Sequence, residues 1–149
     1  MEISEILDIR PYSLNKPEKE QLLSSYLTEL SRYHYNHCLP YKKMMDSVNY
    51  DINKEYSYYD LPFLPVRLFK MFDLYSVGQE EIIKTMTSSG TSGQVVSKIY
   101  LDRETSNNQT KALTKIVSSF IGKQRLPIII IDSENAVKNR TLFSARGAG

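Results

Sequence analysis

The sequence is poor in cysteine, and its one thiol, Cys38, excludes an internal disulfide. It also lacks an excess of either charge: 19 Lys and Arg stand against 17 Asp and Glu, for a formal net charge of +2. Nucleic-acid binders carry a basic stripe. The nearest approaches here, Lys42-Lys43 and Lys138 to Arg140, are isolated by acidic or polar neighbours, so no nucleic-acid partner is expected. Long apolar runs are missing as well. Pro127 to Ile131 falls far short of the ~20 residues that a bilayer requires, and the start Met-Glu-Ile-Ser-Glu has neither the basic nor the apolar region of a secretory signal. The expectation is therefore no membrane insertion and a reducing, cytoplasmic setting. Internal repeats and low-complexity tracts do not occur.

What remains is an ordinary globular composition, 41% hydrophobic and 24% charged over 149 residues, enough for one domain or one piece of a larger one. Leu22, Leu23, Tyr26, Leu27, Leu30, Tyr33 and His34 recur at three- and four-residue steps, which predicts a helix from about Pro17 to Asn36. Pro40 breaks it, and a second short helix fits Tyr41 to Val48. Residues 49–60 are polar and tyrosine-rich without a clean period, and read as a connecting segment. Leu61 to Val66 holds two prolines among large apolar residues and should be extended; Arg67 to Phe72 fits a turn of helix or an irregular strand.

The central stretch is the most organised. Glu81 to Met86 suggests a strand, Thr87 to Gly93 a small-residue loop, and Val95 to Leu101 a returning strand. Asp102 or Thr105 can cap a following helix whose buried face is traced by Thr110, Leu113, Ile116, Val117 and Phe120, with Gly122 at its end. Leu126 to Asp132 has the pattern of a strand covered on both faces. The tail offers nothing to complete those layers, so the chain reads as part of a larger fold.

Chemistry concentrates in the loop. Thr87-Ser88-Ser89-Gly90-Thr91-Ser92-Gly93 puts hydroxyl side chains and two glycines around one turn, so side-chain donors and closely approaching amides can converge on an anion. Lys98 could add a point charge toward the same phosphates. A flexible polar hairpin is the plainer reading of the same composition. The spacing matches neither the G-x-x-x-x-G-K-[ST] loop nor G-x-G-x-x-G.

Ser88-Ser89-Gly90-Thr91-Ser92-Gly93 resembles the phosphate-binding motif of the adenylate-forming superfamily, which includes acyl-CoA synthetases and luciferases. Together with Leu61 to Val66, Phe69-Lys70 and Arg140 to Gly149, it resembles the LuxE-type acyl-protein synthetases in particular. That resemblance implies an α/β fold: a helical segment over residues 1–60, then over 61–149 part of an adenylation domain with a mixed β-sheet flanked by helices. It implies a ligase that activates a fatty-acid-like carboxylate with ATP and Mg2+, forms an acyl-adenylate and passes the acyl group to a protein thiol. An acyl reductase or an acyl-carrier protein would be the protein partner. Thr87, Ser88, Ser89, Gly90, Thr91, Ser92, Gly93 and Lys98 would bind the nucleotide phosphates, although Gln94 to Ser97 separate Lys98 from the loop where the wider superfamily places a Pro-Lys pair close behind the last glycine. No catalytic residue is assigned. The resemblance also places the adenine pocket, the catalytic lysine and the acyl-accepting cysteine outside these residues, so the chain alone is expected to bind ATP weakly or not at all.

A second reading, from another class, is a catalytically inactive remnant or protein-binding module of the same fold. His34, His37 and Cys38 share helical spacing, but without a fourth ligand they read as structural rather than as a metal site. The eleven tyrosines read as packing at half-wet surfaces. Asp132 sits where α/β folds place ligand contacts, and Arg146 is a candidate anion contact.

Overall fold

The computed structural model describes residues 3–88, 95–124, 126, 127, 129 and the backbone of 143–144. Helix α1 (Ile3–Asp8) leads into α2 (Lys16–His37) and α3 (Leu39–Ser47), then the single turn α4 (Leu68–Met71). A 3-10 turn, Gln79–Glu81, precedes β1 (Ile82–Thr87), β2 (Lys98–Asp102), α5 (Arg103–Ile121) and β3 (Phe143–Ser144). The order is that of an α/β chain.

Helix α2 begins where its sequence demands. Asn15 Oδ1 accepts from the Glu18 amide at 3.0 Å, and Glu18 Oε2 accepts from the Asn15 amide at 2.9 Å, a reciprocal capping box with Pro17 in the first turn. It ends at Cys38, which adopts an extended conformation ahead of Leu39-Pro40. Helix α3 starts two residues before the expected Tyr41, because a proline in the first turn of a helix gives up no hydrogen bond that the helix needs. Helix α1 had no sequence signal. Six residues are too few to be stable alone, and this turn is held by packing against α5, where the Lys115 ammonium donates to the Leu7 carbonyl and pairs with Asp8 at 2.9 Å.

Residues 49–60 are irregular, as expected, and lie along α2. Their backbone groups are satisfied by side chains of that helix. Arg32 donates to the carbonyls of Ile52 at 2.8 Å and Lys54 at 3.2 Å and pairs with Glu55 at 2.8 Å. The Thr28 hydroxyl bridges the Tyr56 amide and carbonyl, and Ser24 accepts from the Tyr58 amide. Thr28, Met45, Cys38 and Tyr50 are buried here, at the contact of α2 with α3. Tyrosine rings pack against each other, with Tyr50 stacked on Tyr56 at 5.2 Å.

Strand β1 runs antiparallel to β2, with Thr85 opposite Tyr100 and Thr87 opposite Lys98, and parallel to β3, in the order β2-β1-β3. The small sheet is mixed, as expected. Its return strand starts at Lys98 rather than Val95, which is exposed. Asp102 caps α5 by accepting from the Thr105 amide at 2.7 Å, and Gly122 ends it at φ 81°, a left-handed conformation that glycine adopts without strain.

One expectation about α5 requires correction. Its apolar stripe is real, yet Thr110, Leu113, Ile116, Val117 and Phe120 are exposed, Phe120 by 73%. The helix packs on β1, β2 and α1, and Tyr12 meets the Phe120 ring in an edge-to-face contact at 5.6 Å. Periodicity reports where an apolar face lies, not that a layer covers it. The strand expected over Leu126 to Asp132, covered on both faces, is not seen where its residues are described: Leu126, Pro127 and Ile129 are not in a strand, and Leu126 and Ile129 are exposed, Ile129 by 87%. The rest of it, with Asp132, and Arg146 lie outside the described residues.

Candidate functional site

The loop between β1 and β2 is closed at its neck by two hydrogen bonds. The Ser88 amide donates to the Ser97 carbonyl at 3.1 Å, and the Ser88 hydroxyl accepts from the Ser97 amide at 3.0 Å. Ser88 therefore spends its side chain on loop closure, and Ser97 is buried beside it. Thr87 forms the last rung of the ladder with Lys98. Ser89, Gly90, Thr91, Ser92 and Gly93 lie outside the described residues. Thr87, Ser88 and Lys98 are thus brought together at the base of the loop.

Residues directly opposite in an antiparallel pair share a face, so Thr87, Lys98, Thr85 and Tyr100 lie on one side of the sheet. On that side Lys98 Nζ stands 3.2 Å from Asp73 Oδ1, which also accepts from the Tyr100 hydroxyl at 2.5 Å. The hydrogen bond from Tyr100, and then the lysine, hold the Asp73 carboxyl below its ordinary range; Asp73 in turn raises Lys98. Burial first, and Asp73 second, raise the Tyr100 phenol. The ion pair is half exposed, so it is easily exchanged for another anion. Asp73 carried no sequence signal: it follows α4 with no motif around it.

Beside this face lies a cleft of about 690 Å³, walled by α2, the 64–77 segment and the first turns of α5. Tyr100 belongs to its lining, as do His34, Cys38 and Ser76. His34 Nδ1 lies 2.7 Å from the Ser76 hydroxyl, and the Tyr33 hydroxyl donates to the Ser76 carbonyl at 3.2 Å. His37 turns away, donating from Nδ1 to the Tyr33 carbonyl at 2.7 Å and stacking on that ring. Cys38 is buried. The two histidines thus serve separate partners, and among the described residues no cluster of three His, Cys, Asp or Glu could hold a metal.

Burial, reinforced by the neighbouring His37, pushes His34 below its usual value of 6.5 and keeps it neutral. Between that depressed value and 6.5 the unfolded chain binds more protons than the folded one, so stability rises with pH across the window and is lost on acidification. His34→Gln should flatten this slope. Urea midpoints at neutral and mildly acidic pH measure it, and equal slopes in parent and variant would refute the assignment.

Among the described residues no helix is long and apolar enough to cross a membrane. A family model described as "Acyl-protein synthetase, LuxE" matches residues 1–148. The long-chain-fatty-acid–luciferin-component ligase of Photorhabdus luminescens is 31% identical over 86 residues, covering 58% of this chain and 72% of that relative. No solved structure matches the chain. With the family model spanning nearly every residue, the chain belongs to the LuxE family of acyl-protein synthetases.

Proposed function

We propose that the protein activates a long-chain fatty acid with ATP, through an acyl-adenylate, and delivers the acyl group to a protein thiol. The observation that carries this reading is the neck at Ser88 and Ser97, which sets a run of hydroxyl and glycine residues between two paired strands with a lysine at its base. Family membership and the fatty-acid ligase named among the relatives support it.

In this reading the fold is that of the adenylate-forming enzymes, and ATP enters with Mg2+ as part of the substrate. Thr87, Ser89, Gly90, Thr91, Ser92 and Gly93 contact the β- and γ-phosphates through hydroxyls and amides. Ser88 contributes from the neck, and Lys98 exchanges Asp73 for a phosphate oxygen. The fatty carboxylate attacks the α-phosphorus and pyrophosphate departs; positioning and charge stabilisation are what such a loop supplies. A cysteine thiol then displaces AMP from the acyl carbon, and an acyl reductase or carrier protein takes the product onward.

The test is exchange of labelled pyrophosphate into ATP by the protein expressed from its complete coding sequence. Exchange that requires a long-chain carboxylate is expected. Absence of exchange with every carboxylate offered, or exchange that proceeds without one, would contradict the reading.

A further inference from the structure

We propose that the cleft between α2, the 64–77 segment and α5 holds the alkyl chain of the fatty substrate, with its carboxylate emerging beside Lys98. The identity of this occupant rests on the fatty-acid activation proposed above; the location rests on the cleft itself.

Three features argue for it. The volume, about 690 Å³, lies in the ~300–1,000 Å³ range of small-molecule sites. Its wall is largely carbon, from residues such as Leu30, Leu64, Phe69, Leu74 and Val77. Several of the polar groups set in that wall are turned on other protein groups: His34 on Ser76, Tyr33 on the Ser76 carbonyl, and Asp102 on the Thr105 amide. Burial keeps His34 uncharged. Such a wall rewards an alkyl chain and gives little to a nucleotide.

The third feature is direction. Tyr100 lines the cleft and stands two residues from Lys98 on the same side of the sheet, so the cleft opens at the base of the phosphate loop. Asp102 and Glu104 also line it, which disfavours a carboxylate within and leaves the head group to emerge at the end nearest Lys98 and the loop. A chain lying this way would bring its carboxylate to the nucleotide that the loop holds.

The experiment titrates the protein, without ATP, with saturated fatty acids from octanoate to hexadecanoate, read by displacement of a dansyl-labelled undecanoic acid. Affinity should rise about fourfold per methylene, the factor that burial of one CH2 provides, until the cleft is full. Leu30→Phe and Val77→Phe, which narrow the cleft from opposite walls, should each move the plateau to shorter chains while thermal unfolding shows both variants folded. Affinity independent of chain length, or a plateau unmoved in both folded variants, would overturn the inference, and so would a cleft that binds no fatty acid because polypeptide fills it. The two proposals fail separately. Pyrophosphate exchange with an unshifted chain-length preference in both variants would remove the cleft and leave adenylation standing. Shifted plateaus without any exchange would do the reverse.

Discussion

Thr91→Val and Gly93→Val should each lower fatty-acid-dependent pyrophosphate exchange by roughly 10²-fold or more, the loss typical of removing one preorganised donor from a site where charge develops. Thr91→Val deletes a hydroxyl that the reading places on a phosphate. Gly93→Val adds bulk where the proposed reading brings the backbone up to the nucleotide, and it removes the free access to positive φ that glycine has. Both variants should unfold at the parental temperature, because the strands flanking the loop are joined at Ser88 and Ser97 and do not depend on these side chains. Parental exchange rates in both variants would strip the loop of its role. A fall in activity accompanied by an equal fall in unfolding temperature would assign it to folding.

Met45→Ala should be among the most destabilising single substitutions in the described residues. Met45 is 1% exposed, on α3 where it meets α2, and its carbonyl accepts from the Val48 and Tyr50 amides. Truncating a buried methionine costs ~2–5 kcal/mol, a drop on the order of 10 °C in unfolding temperature for a chain of this size. Met71, 59% exposed on α4, is the control: Met71→Ala should stay within about 0.5 kcal/mol of the parent. Thermal unfolding of the pair measures the difference. Equal stability in the two variants would place the core elsewhere.

Much of this arrangement was legible from residue pattern because its causes are local. Asn15, Pro17 and Glu18 start α2 by their own hydrogen bonds, and Asp102 and Gly122 bound α5 in the same way. The strand, loop and return strand around Thr87 to Gly93 follow from apolar runs on either side of small residues. What the pattern did not reveal depends on distant partners. Helix α1 exists through Lys115 and α5. Residues 49–60 are placed by Arg32 and Thr28, more than twenty positions away in most of their contacts. Asp73 matters to the site only because the sheet turns Lys98 and Tyr100 toward it. The α5 stripe shows the opposite limit: Leu113, Ile116 and Val117 have the spacing of a buried face and remain exposed, since spacing along one helix carries no information about what lies against it.

The cation at the loop base follows the same logic. Lys98 lies farther from the glycines in sequence than the wider superfamily's pattern places its lysine, yet the ladder sets it directly opposite Thr87. Register, rather than sequence distance, brings it to the loop.

The adenylate itself is the centre of this account, and oxygen labelling follows it directly. When a fatty acid carrying 18O in its carboxylate is turned over with ATP and an acceptor thiol, attack at the α-phosphorus places one labelled oxygen in the AMP released. Mass spectrometry should find that label in AMP and none in inorganic phosphate or pyrophosphate; label in inorganic phosphate would mean that the carboxylate attacks the γ-phosphorus, and would contradict the acyl-adenylate.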